Sequence, residues 1–441
     1  MRSDGERALS GLLQALHLTA MEGVPPAVAR CSRTAGFSHV LIYVTDLQQQ
    51  LLVPLPGQHA ADGGPLETLR IEGTVPGRAF RMVEIVRTRP GPAEGGGTRL
   101  WLPLLDGTER IGVLGLTVAP PGEPAPDPGD DPASGPGAGP DPACGGEREF
   151  GGGAEAACGG ELMELRAKDL ASLVALLVIS KRPHSDSYAR VIRARPLTLS
   201  AEVLWNLLPP GTFANDDVVV SAALEPAYEM GGDAFDYAIS DRVLHLSIFD
   251  AMGHDTSAGL TASIAMGAFR NHRRRGETLA EAGQAIDAAI GSQFTGRFAT
   301  GILADLDLRT GLLTWVNRGH HPPLVLREGR LVRTLESVPD PPMGFGLEAG
   351  TGVLRHQLQP GDRLLFYTDG IVEAQSPDGE LFGLERFIEF VLRREADGVS
   401  APETLRRLIQ AILAHQRGRL QDDATVMTVE WQTRRRDQLV P

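Results

Sequence analysis

A segment from Ala119 to Gly160 divides the chain of 441 residues into two parts. The segment is rich in Pro, Gly and acidic residues and has almost no large apolar side chains, so it buries too little surface to offset its ordering entropy. We therefore predict a disordered insertion over 119–160 with a folded region on each side. A chain of this length accommodates two domains of ordinary size and such connecting material.

Charge and cysteine content exclude several classes of protein. The formal net charge is −14, so the long-range field repels nucleic acid and anionic membranes. Cys31, Cys144 and Cys158 lie too far apart for a disulfide framework or a zinc site, which favours a reducing cytoplasm. The start of the chain does not resemble a signal peptide, and the longest apolar run, 170–179, is too short to span a bilayer. We expect a cytoplasmic protein with no nucleic-acid or membrane partner.

The part before the insertion begins with a predicted helix and continues with five strand-like runs. The helix is predicted from leucines at helical spacing: Leu9, Leu12, Leu13 and Leu16. After the insertion, 161–181 predicts a long apolar helix. Antiparallel strands between two helices resemble a GAF domain, with GRAF at Gly77–Phe80 before a helix and TRLWLPLLDGTERIGVLGL similar to that family's late hairpin. The resemblance covers residues 7–182.

This resemblance implies an α/β sensor domain that binds an unknown small ligand or dimerises. A folded dimerisation module that binds no ligand is the alternative. Between the two folded regions we predict a linker helix over 183–214, with Leu197, Ala201, Leu204 and Leu208 at helical spacing. These residues form the seam of a short coiled coil or of a helix docked on a neighbour. The linker either transmits a movement or is a passive spacer, and we expect a homodimer through the GAF-like domain and the seam.

From Asp216 onward, strands alternate with paired helices. Three strands precede helices over 256–275 and 277–294, and six further strands precede helices over 384–394 and 402–417. A last strand, ATVMTVEW, follows. Strands in meander order with helices grouped between them predict packed sheets with helices outside, in an α+β arrangement.

Acidic residues lie at the ends of four of these predicted strands, beside small residues: Asp233, Asp250, Asp369, Asp422 and Asp423. If the strands are neighbours, the carboxylates converge, and two like charges about 4 Å apart repel by about 4 kcal/mol at an effective dielectric near 20. Cations make that arrangement tolerable, and oxygen ligands without cysteine select magnesium or manganese over zinc. A pair of such ions clamps phosphoryl oxygens and activates water, which suggests hydrolysis of phosphate esters.

Six ordered motifs carry a second resemblance. They are EPAYEMGGDAFDY, FDAMGHDTSAGL, FATGILADLDLRTGLLTWVNRGHHPPLVLR, PMGFG, LQPGDRLLFYTDGIVEAQSPDGELFG and QDDATVMTV. In order and spacing they resemble the metal-dependent (type 2C, PPM) serine/threonine phosphatases of the SpoIIE/RsbU branch, over about residues 197–432. The resemblance implies an αββα sandwich phosphatase domain at 215–432, with LTLSAEVLWNLLPP as the helix that precedes it.

The same resemblance implies a catalytic centre of two Mn²⁺ or Mg²⁺ ions. Asp233 and Asp250 hold the ions together with the backbone carbonyl of Ala251, while Asp369 completes one side and Asp422 the other. Weaker candidates lie around these ligands: Asp236 for a third ion or a water, and His254, Asp423 and Gly370 in supporting positions.

The histidines near these motifs allow different interpretations. His254 either touches phosphate or metal-bound water, or it fixes the loop after Asp250. His320 is interpreted as structural, and Asn317 and Gly319 as shaping the same turn.

Two residues depart from the pattern of the phosphatase branch. Asp255 stands where that branch usually has Gly, and Arg318 where it usually has Ala. Asp255 fits the N-cap of the following helix or adds negative charge near the ions. Arg318 is a candidate to approach phosphate. Neither position belongs to the ligand acids, so we expect activity to survive and leave the substrate fit open.

The resemblance implies a phosphorylated anti-sigma-factor antagonist, a small STAS-domain protein, as the substrate. The alternatives are a catalytically silent pseudophosphatase that only holds a partner and a phosphatase that acts on a small phosphometabolite. The string GGDAF also resembles the GGDEF signature of diguanylate cyclases, but no βαβ context or nucleotide loop surrounds it.

Overall fold

A computed structural model of the chain divides into two units, the first ending at Ile192 and the second beginning at Arg193. The structure describes residues 19–60, 63–90, 97–118, 152–225, 228–229, 231–350, 352–418, 420–432 and 439–440. The opening helix predicted from Leu9 to Leu16 lies outside the described residues. In the part of the chain that is described, no helix is long and apolar enough to cross a membrane.

The first unit is built on a six-stranded antiparallel sheet with the order β3-β2-β1-β6-β5-β4. The strands are β1 Phe37–Thr45, β2 Leu51–Pro54, β3 Leu69–Arg70, β4 Val86–Thr88, β5 Thr98–Asp106 and β6 Glu109–Val118. The helices are α1 Val24–Thr34, α2 Val75–Met82, α3 Gly152–Lys181 and α4 Asp186–Val191. One face of the sheet packs on α1 and α3, and the other packs on α2 through Phe80 and Trp101. The five predicted strands are confirmed, and the short strand β2 was not predicted.

The predicted insertion 119–160 is wrong at its end, because α3 begins at Gly152. Residues 119–151 lie outside the described residues. The physical reason is that Ala154–Cys158 contains good helix formers, and adding turns to an existing long helix is far easier than nucleating a new one.

The second unit contains two antiparallel sheets and five longer helices among the residues that the structure describes. The strands are β7 Thr212–Ala214, β8 Val218–Glu225, β9 Asp233–Ser240, β10 Val243–Ala251, β11 Ala299–Asp307, β12 Leu312–Arg318, β13 Leu324–Arg327, β14 Arg330–Thr334, β15 Leu354–Gln357, β16 Arg363–Tyr367 and β17 Ala424–Trp431. The helices are α5 Leu199–Leu207, α6 Thr256–Arg274, α7 Leu279–Gln293, the single turn α8 Asp369–Val372, α9 Leu384–Ala396 and α10 Ala401–His415.

The two sheets pack face to face with helices outside. The five-stranded sheet has the order β15-β12-β11-β10-β9, and the six-stranded sheet the order β14-β13-β16-β17-β8-β7. Alternating buried residues of both sheets form one core together with α6 and α7. A second core joins the outer face of the six-stranded sheet to α9 and α10. The predicted α+β arrangement of sheets with external helices is therefore confirmed.

The predicted linker helix over 183–214 is wrong, because this stretch contains two short helices, α4 and α5, and the strand β7. Pro196 lies between the two helices, and proline disfavours helical backbone in the residue before it. The seam is docked on its own unit: Ala201 and Leu204 are fully buried in the sandwich core, where Leu197 and Leu208 pack beside them. The seam is therefore not free to pair with a second copy of the chain.

Candidate metal centre

The ends of strands from both sheets bring five carboxylates to one place. Asp233 at the start of β9 is the cross-strand partner of Asp250 near the end of β10. In the other sheet, β16 pairs with β17; Asp369 follows the first of these strands, and Asp422 and Asp423 precede the second. Asp423 links the sheets, because its Oδ2 accepts hydrogen bonds from the backbone N–H of Gly231 at 2.7 Å and of Asp233 at 3.1 Å.

Thr368 fixes the orientation of one carboxylate. Its Oγ1 donates to Oδ2 of Asp233 at 2.7 Å, while the backbone N–H of Thr425 donates to the same Oγ1 at 2.9 Å. Thr368 thus holds Oδ2 of Asp233 in place, and the side chain of Thr425 lies close to the same carboxylate. The sequence analysis missed Thr368; the signal was a polar residue at the end of a buried strand, immediately before Asp369.

Two glycines allow the backbone to close around the cluster. A Cβ at Gly370 would lie 1.8 Å from the backbone oxygen of Asp423, and one at Gly232 would lie 2.1 Å from the carbonyl oxygen of Ala251. Any larger residue at either position would push these segments apart. Gly370, predicted to support the site, therefore does so by its lack of a side chain, and the Ala251 carbonyl lies at the edge of the cluster.

Burial and mutual repulsion raise the pKa of the clustered carboxyls. The pKa of Asp250 rises to about 7, first because of burial and then because of Asp369 and Asp422. Burial also raises the pKa of Asp423 to about 6 and holds that of Asp233 well above its usual range, with Asp250 as the second cause. The pKa of Asp422 is raised as well, mainly by burial. The cluster is therefore short of positive charge.

None of the five carboxylates forms a salt bridge with arginine or lysine within the described ranges. Elsewhere in the unit several buried acids are neutralised by arginine, as Asp362 is by Arg327 and Glu430 by Arg363.

The assignment of Asp236 to a third ion or a water is contradicted. Its carboxylate is fully buried and lies against the guanidinium groups of Arg270 and Arg273, each at 2.6 Å. Two arginines neutralise this acid, so it attracts no further cation.

The donor set fits hard divalent cations that keep part of their water shell. Over the residues that the structure describes, no three His, Cys, Asp or Glu side chains are arranged to hold an ion by themselves. Magnesium keeps several waters and uses only one or two carboxylates, and manganese shares its preference for oxygen ligands. An all-oxygen cluster without cysteine therefore suits these ions better than zinc.

The loop after β10 carries two polar residues with different surroundings. His254 is exposed, and no hydrogen bond to its ring is found among the described residues, so both interpretations of this histidine stay predictions. It lies close enough to Asp422 to oppose the rise in the pKa of that carboxyl. Asp255 caps α6, because its Oδ1 accepts from the N–H of Ala258 at 2.9 Å, and it also pairs with Arg297. The N-cap prediction for Asp255 is confirmed.

The histidine of the second turn is structural, as predicted. Nε2 of His320 donates to the carbonyl of Tyr367 at 3.1 Å, and since a carbonyl only accepts, Nδ1 accepts from Thr300 Oγ1 at 2.8 Å. Asn317 closes the turn through bonds to the N–H and carbonyl of His320, and Gly319 has a positive φ of 73°. Burial lowers the pKa of His320 to about 3, so the ring is neutral.

Arg318 does not approach the candidate site for phosphate, which corrects the prediction made for it. Its side chain is almost fully buried, and Nε donates to the carbonyl of Pro341 at 2.8 Å. Asp287 and Asp340 lie near enough to raise its pKa, although burial lowers that pKa more strongly. Arg318 therefore braces the loop around Pro341.

Comparison with known proteins finds similarity over the second unit. The family model described as Stage II sporulation protein E (SpoIIE) matches residues 240–432. Protein IcfG of Synechocystis sp. is 27% identical over 262 residues, which is 52% of this chain and 40% of the relative. Phosphoserine phosphatase RsbP of Bacillus subtilis is 26% identical over 187 residues, which is 41% of this chain and 45% of the relative.

A solved structure, the RsbU and RsbW domains of Rv1364c from Mycobacterium tuberculosis, is 26% identical and covers 49% of this chain and 60% of that chain, with a TM-score of 0.42. The chain spans less than half the length of the two curated relatives. The matched family region lies wholly in the second unit and does not extend to the first unit.

Proposed function

We propose, on the premise that the second unit is homologous to the PPM serine/threonine protein phosphatases of the SpoIIE type, that this chain hydrolyses phosphoserine and phosphothreonine in a protein substrate. The proposed cofactors are two Mn²⁺ or Mg²⁺ ions. The proposed ligands are Asp233, Asp250, Asp369, Asp422 and the carbonyl of Ala251.

One observation carries the proposal. Five carboxylates from two sheets meet at strand ends with no arginine or lysine salt bridge among the described residues, although arginine pairs with several other buried acids of the same unit. An uncompensated cluster of buried like charges is unstable unless cations enter it or protons neutralise it. The homology to metal-dependent phosphatases favours cations.

The ions and the residues around them would have separate roles. When bound, the divalent ions supply positive charge for the phosphoryl oxygens and lower the pKa of a coordinated water. Asp233, oriented by Thr368, would hold its carboxylate beside Asp250, which it faces across the strand pair. Asp423 would position Asp233 by accepting its backbone N–H, without acting as a ligand itself.

The proposed substrate is a phosphorylated anti-sigma-factor antagonist of the STAS type, and the proposed regulator is the first unit acting as a GAF-like sensor of a small ligand. The resemblance to the SpoIIE/RsbU branch supports this substrate, and a relative named phosphoserine phosphatase supports the phosphoserine specificity. A homodimer, if formed, would use the first unit, because the seam of α5 is occupied.

The test is hydrolysis of p-nitrophenyl phosphate and of a phosphoserine STAS protein by the full chain, with Mn²⁺, with Mg²⁺ and with EDTA. We expect metal-dependent turnover that falls by at least about a thousandfold in Asp369→Ala, because a ligand that stabilises transition-state charge is removed. Asp397→Ala, at an exposed position after α9, is the matched control and keeps full activity.

The competing function is a pseudophosphatase that only holds a partner. Full activity in a folded Asp369→Ala variant would contradict the site assignment. Metal binding with no turnover of either substrate would favour the pseudophosphatase.

A further inference from the structure

Apolar side chains form an exposed surface beside the acidic cluster. We name the apolar ledge by its four residues: Met252, Phe298, Phe345 and Leu347. Met252, Phe345 and Leu347 are 39%, 46% and 55% exposed, and Phe298 is half-buried. Large exposed apolar side chains gathered in one place mark binding surfaces more often than isolated ones do.

Strand pairing places the ledge near the candidate metal centre. Ala251, whose carbonyl lies at the edge of the cluster, pairs with Ala299. Ala299 in turn exchanges two backbone hydrogen bonds of 2.8 Å with Met343. Met343 therefore lies two strand spacings, about 10 Å, from Ala251. Phe345 follows two residues later.

The ledge continues from this pairing without a gap. The Phe345 and Phe298 rings lie 4.9 Å apart between centroids. The N–H of Met252 donates to the carbonyl of Phe298 at 3.0 Å, which joins the loop after β10 to the same surface.

The loop that carries Phe345 is held in place by hydrogen bonds with buried side chains. Oδ1 of Asp287, on α7, accepts from the N–H of Gly344 at 2.6 Å and of Gly346 at 3.1 Å. Arg318 holds the start of the loop through Pro341. Gly344 presses so closely on the neighbouring segment that a Cβ there would lie 2.4 Å from the carbonyl oxygen of Arg297. The side chain of Phe345 is thus exposed on a fixed backbone, which favours binding over a role in the core.

The other edge of the ledge is also fixed. Nη1 of Arg297 donates to the carbonyl of Met252 at 2.9 Å, and Nη2 donates to Asp255 at 2.5 Å. This arginine is therefore engaged by the loop and adds little free positive charge. Asp255 is neutralised by the same arginine, so this edge of the ledge has little net charge and suits an apolar partner.

We propose that the apolar ledge binds an apolar side chain of a protein substrate, about three residues from the phosphorylated serine or threonine. Met343, two residues before Phe345, lies about 10 Å from Ala251 at the edge of the acidic cluster, and an extended peptide rises about 3.3 Å per residue, so three residues span a distance of this size. The inference rests on the proposed function and narrows it from any phosphate ester to phosphoproteins with an apolar flank. It also explains why Arg318 and Asp287 are buried behind the loop.

The experiment compares two phosphoserine peptides with the Mn²⁺-loaded full chain. One carries leucine at the second and third positions on both sides of phosphoserine, and the other carries serine there. We expect kcat/KM to be roughly tenfold higher for the leucine peptide, the scale of discrimination that an apolar contact provides. The double variant Phe345→Ala/Leu347→Ala is expected to reduce that ratio to about one.

The matched control is Leu331→Ala/Val332→Ala, which removes exposed apolar side chains from the edge strand β14 and keeps the tenfold ratio. A wild-type ratio near one, with both peptides and p-nitrophenyl phosphate hydrolysed, would overturn the ledge and leave the proposed function standing. A tenfold ratio that survives the ledge variant would also overturn it. No turnover of any of the three compounds by the folded wild-type chain would overturn the proposed function and the ledge with it.

Discussion

Strand β9 carries two buried carboxylates, three residues apart, that differ in their partners. Asp236 lies between Arg270 and Arg273, with both arginine contacts at 2.6 Å. Asp233 has no basic partner among the described residues; it faces Asp250 across the strand pair, and its carboxylate accepts a hydrogen bond from the hydroxyl of Thr368. Arginine therefore neutralises the acid near one end of the strand, and the acid at the other end lies among further carboxylates.

This difference shows that burial of an acid does not by itself mark a metal site. The salt-bridge partners of the acid distinguish the two cases, because a paired carboxylate has its charge neutralised, whereas a cluster of unpaired carboxylates stays unfavourable until a cation or a proton neutralises it. Three predictions test this comparison.

The largest effect is expected for Asp236→Asn. The change leaves two arginines near a neutral amide, and breaking a buried ion pair typically costs about 3–5 kcal/mol. Urea denaturation of the full chain in EDTA should show this loss in the free energy of unfolding of the second unit.

The matched change on the same strand is Asp233→Asn, for which we expect the opposite sign in EDTA. Removing one of several repelling charges should leave the second unit as stable as the wild type or more stable. Equal destabilisation by the two variants would show that the two acids are not treated differently.

The second effect is a pH dependence that metal reverses. The pKa of Asp250 is raised from 3.8 to about 7 and that of Asp423 to about 6, so the folded state binds more protons than the unfolded state between about pH 4 and pH 7. The protonated cluster therefore stabilises the metal-free fold fully below about pH 4, and this stability is lost as the pH rises through 7.

In EDTA we therefore expect a loss in the free energy of unfolding as the pH rises across this window. Thermal melting from pH 5 to pH 8, with EDTA and with Mg²⁺, measures it. We expect the Mg²⁺ curve to lie above the EDTA curve by a gap that widens with pH. Parallel curves would mean that the cluster does not bind the ion.

The smallest effect is expected for Thr368→Val, which removes the hydroxyl that orients Asp233 and keeps the shape of the side chain. Loss of a partner that orients a metal ligand typically weakens metal affinity by about tenfold or more. Calorimetric titration with Mn²⁺ tests this, with Thr310→Val on an exposed turn as the control. Unchanged affinity would show that Thr368 does not orient the ligand.

The strands and helices of the second unit were predictable, because each acid follows or precedes an apolar run long enough to identify a strand. Asp233, Asp250, Asp369, Asp422 and Asp423 were recognised as strand-end acids, and the fold does bring them together. The ordered motifs supplied what periodicity alone does not, namely which strands are neighbours.

The errors have a common physical cause, since they concern partners that are distant in sequence. Nothing local shows that Arg270 and Arg273, on α6, reach Asp236, or that Arg318 turns into the interior to hold Pro341. Thr368 acts on a residue 135 positions away, so its place before Asp369 marks it as a candidate and does not identify its partner. In the linker, heptad-like spacing is shared by coiled coils and by helices docked on a core; the docked alternative is confirmed, and the continuous helix was wrong.

The most direct test of the central claim is titration of the metal-free full chain with Mn²⁺ at pH 7.5, following free Mn²⁺ by electron paramagnetic resonance, beside Asp250→Asn and Asp236→Asn. If the acidic cluster binds two ions, the wild type binds two Mn²⁺ per chain, Asp250→Asn loses binding, and the folded fraction of Asp236→Asn retains it. Absence of binding to the wild type at millimolar Mn²⁺, or equal binding by Asp250→Asn, would contradict it.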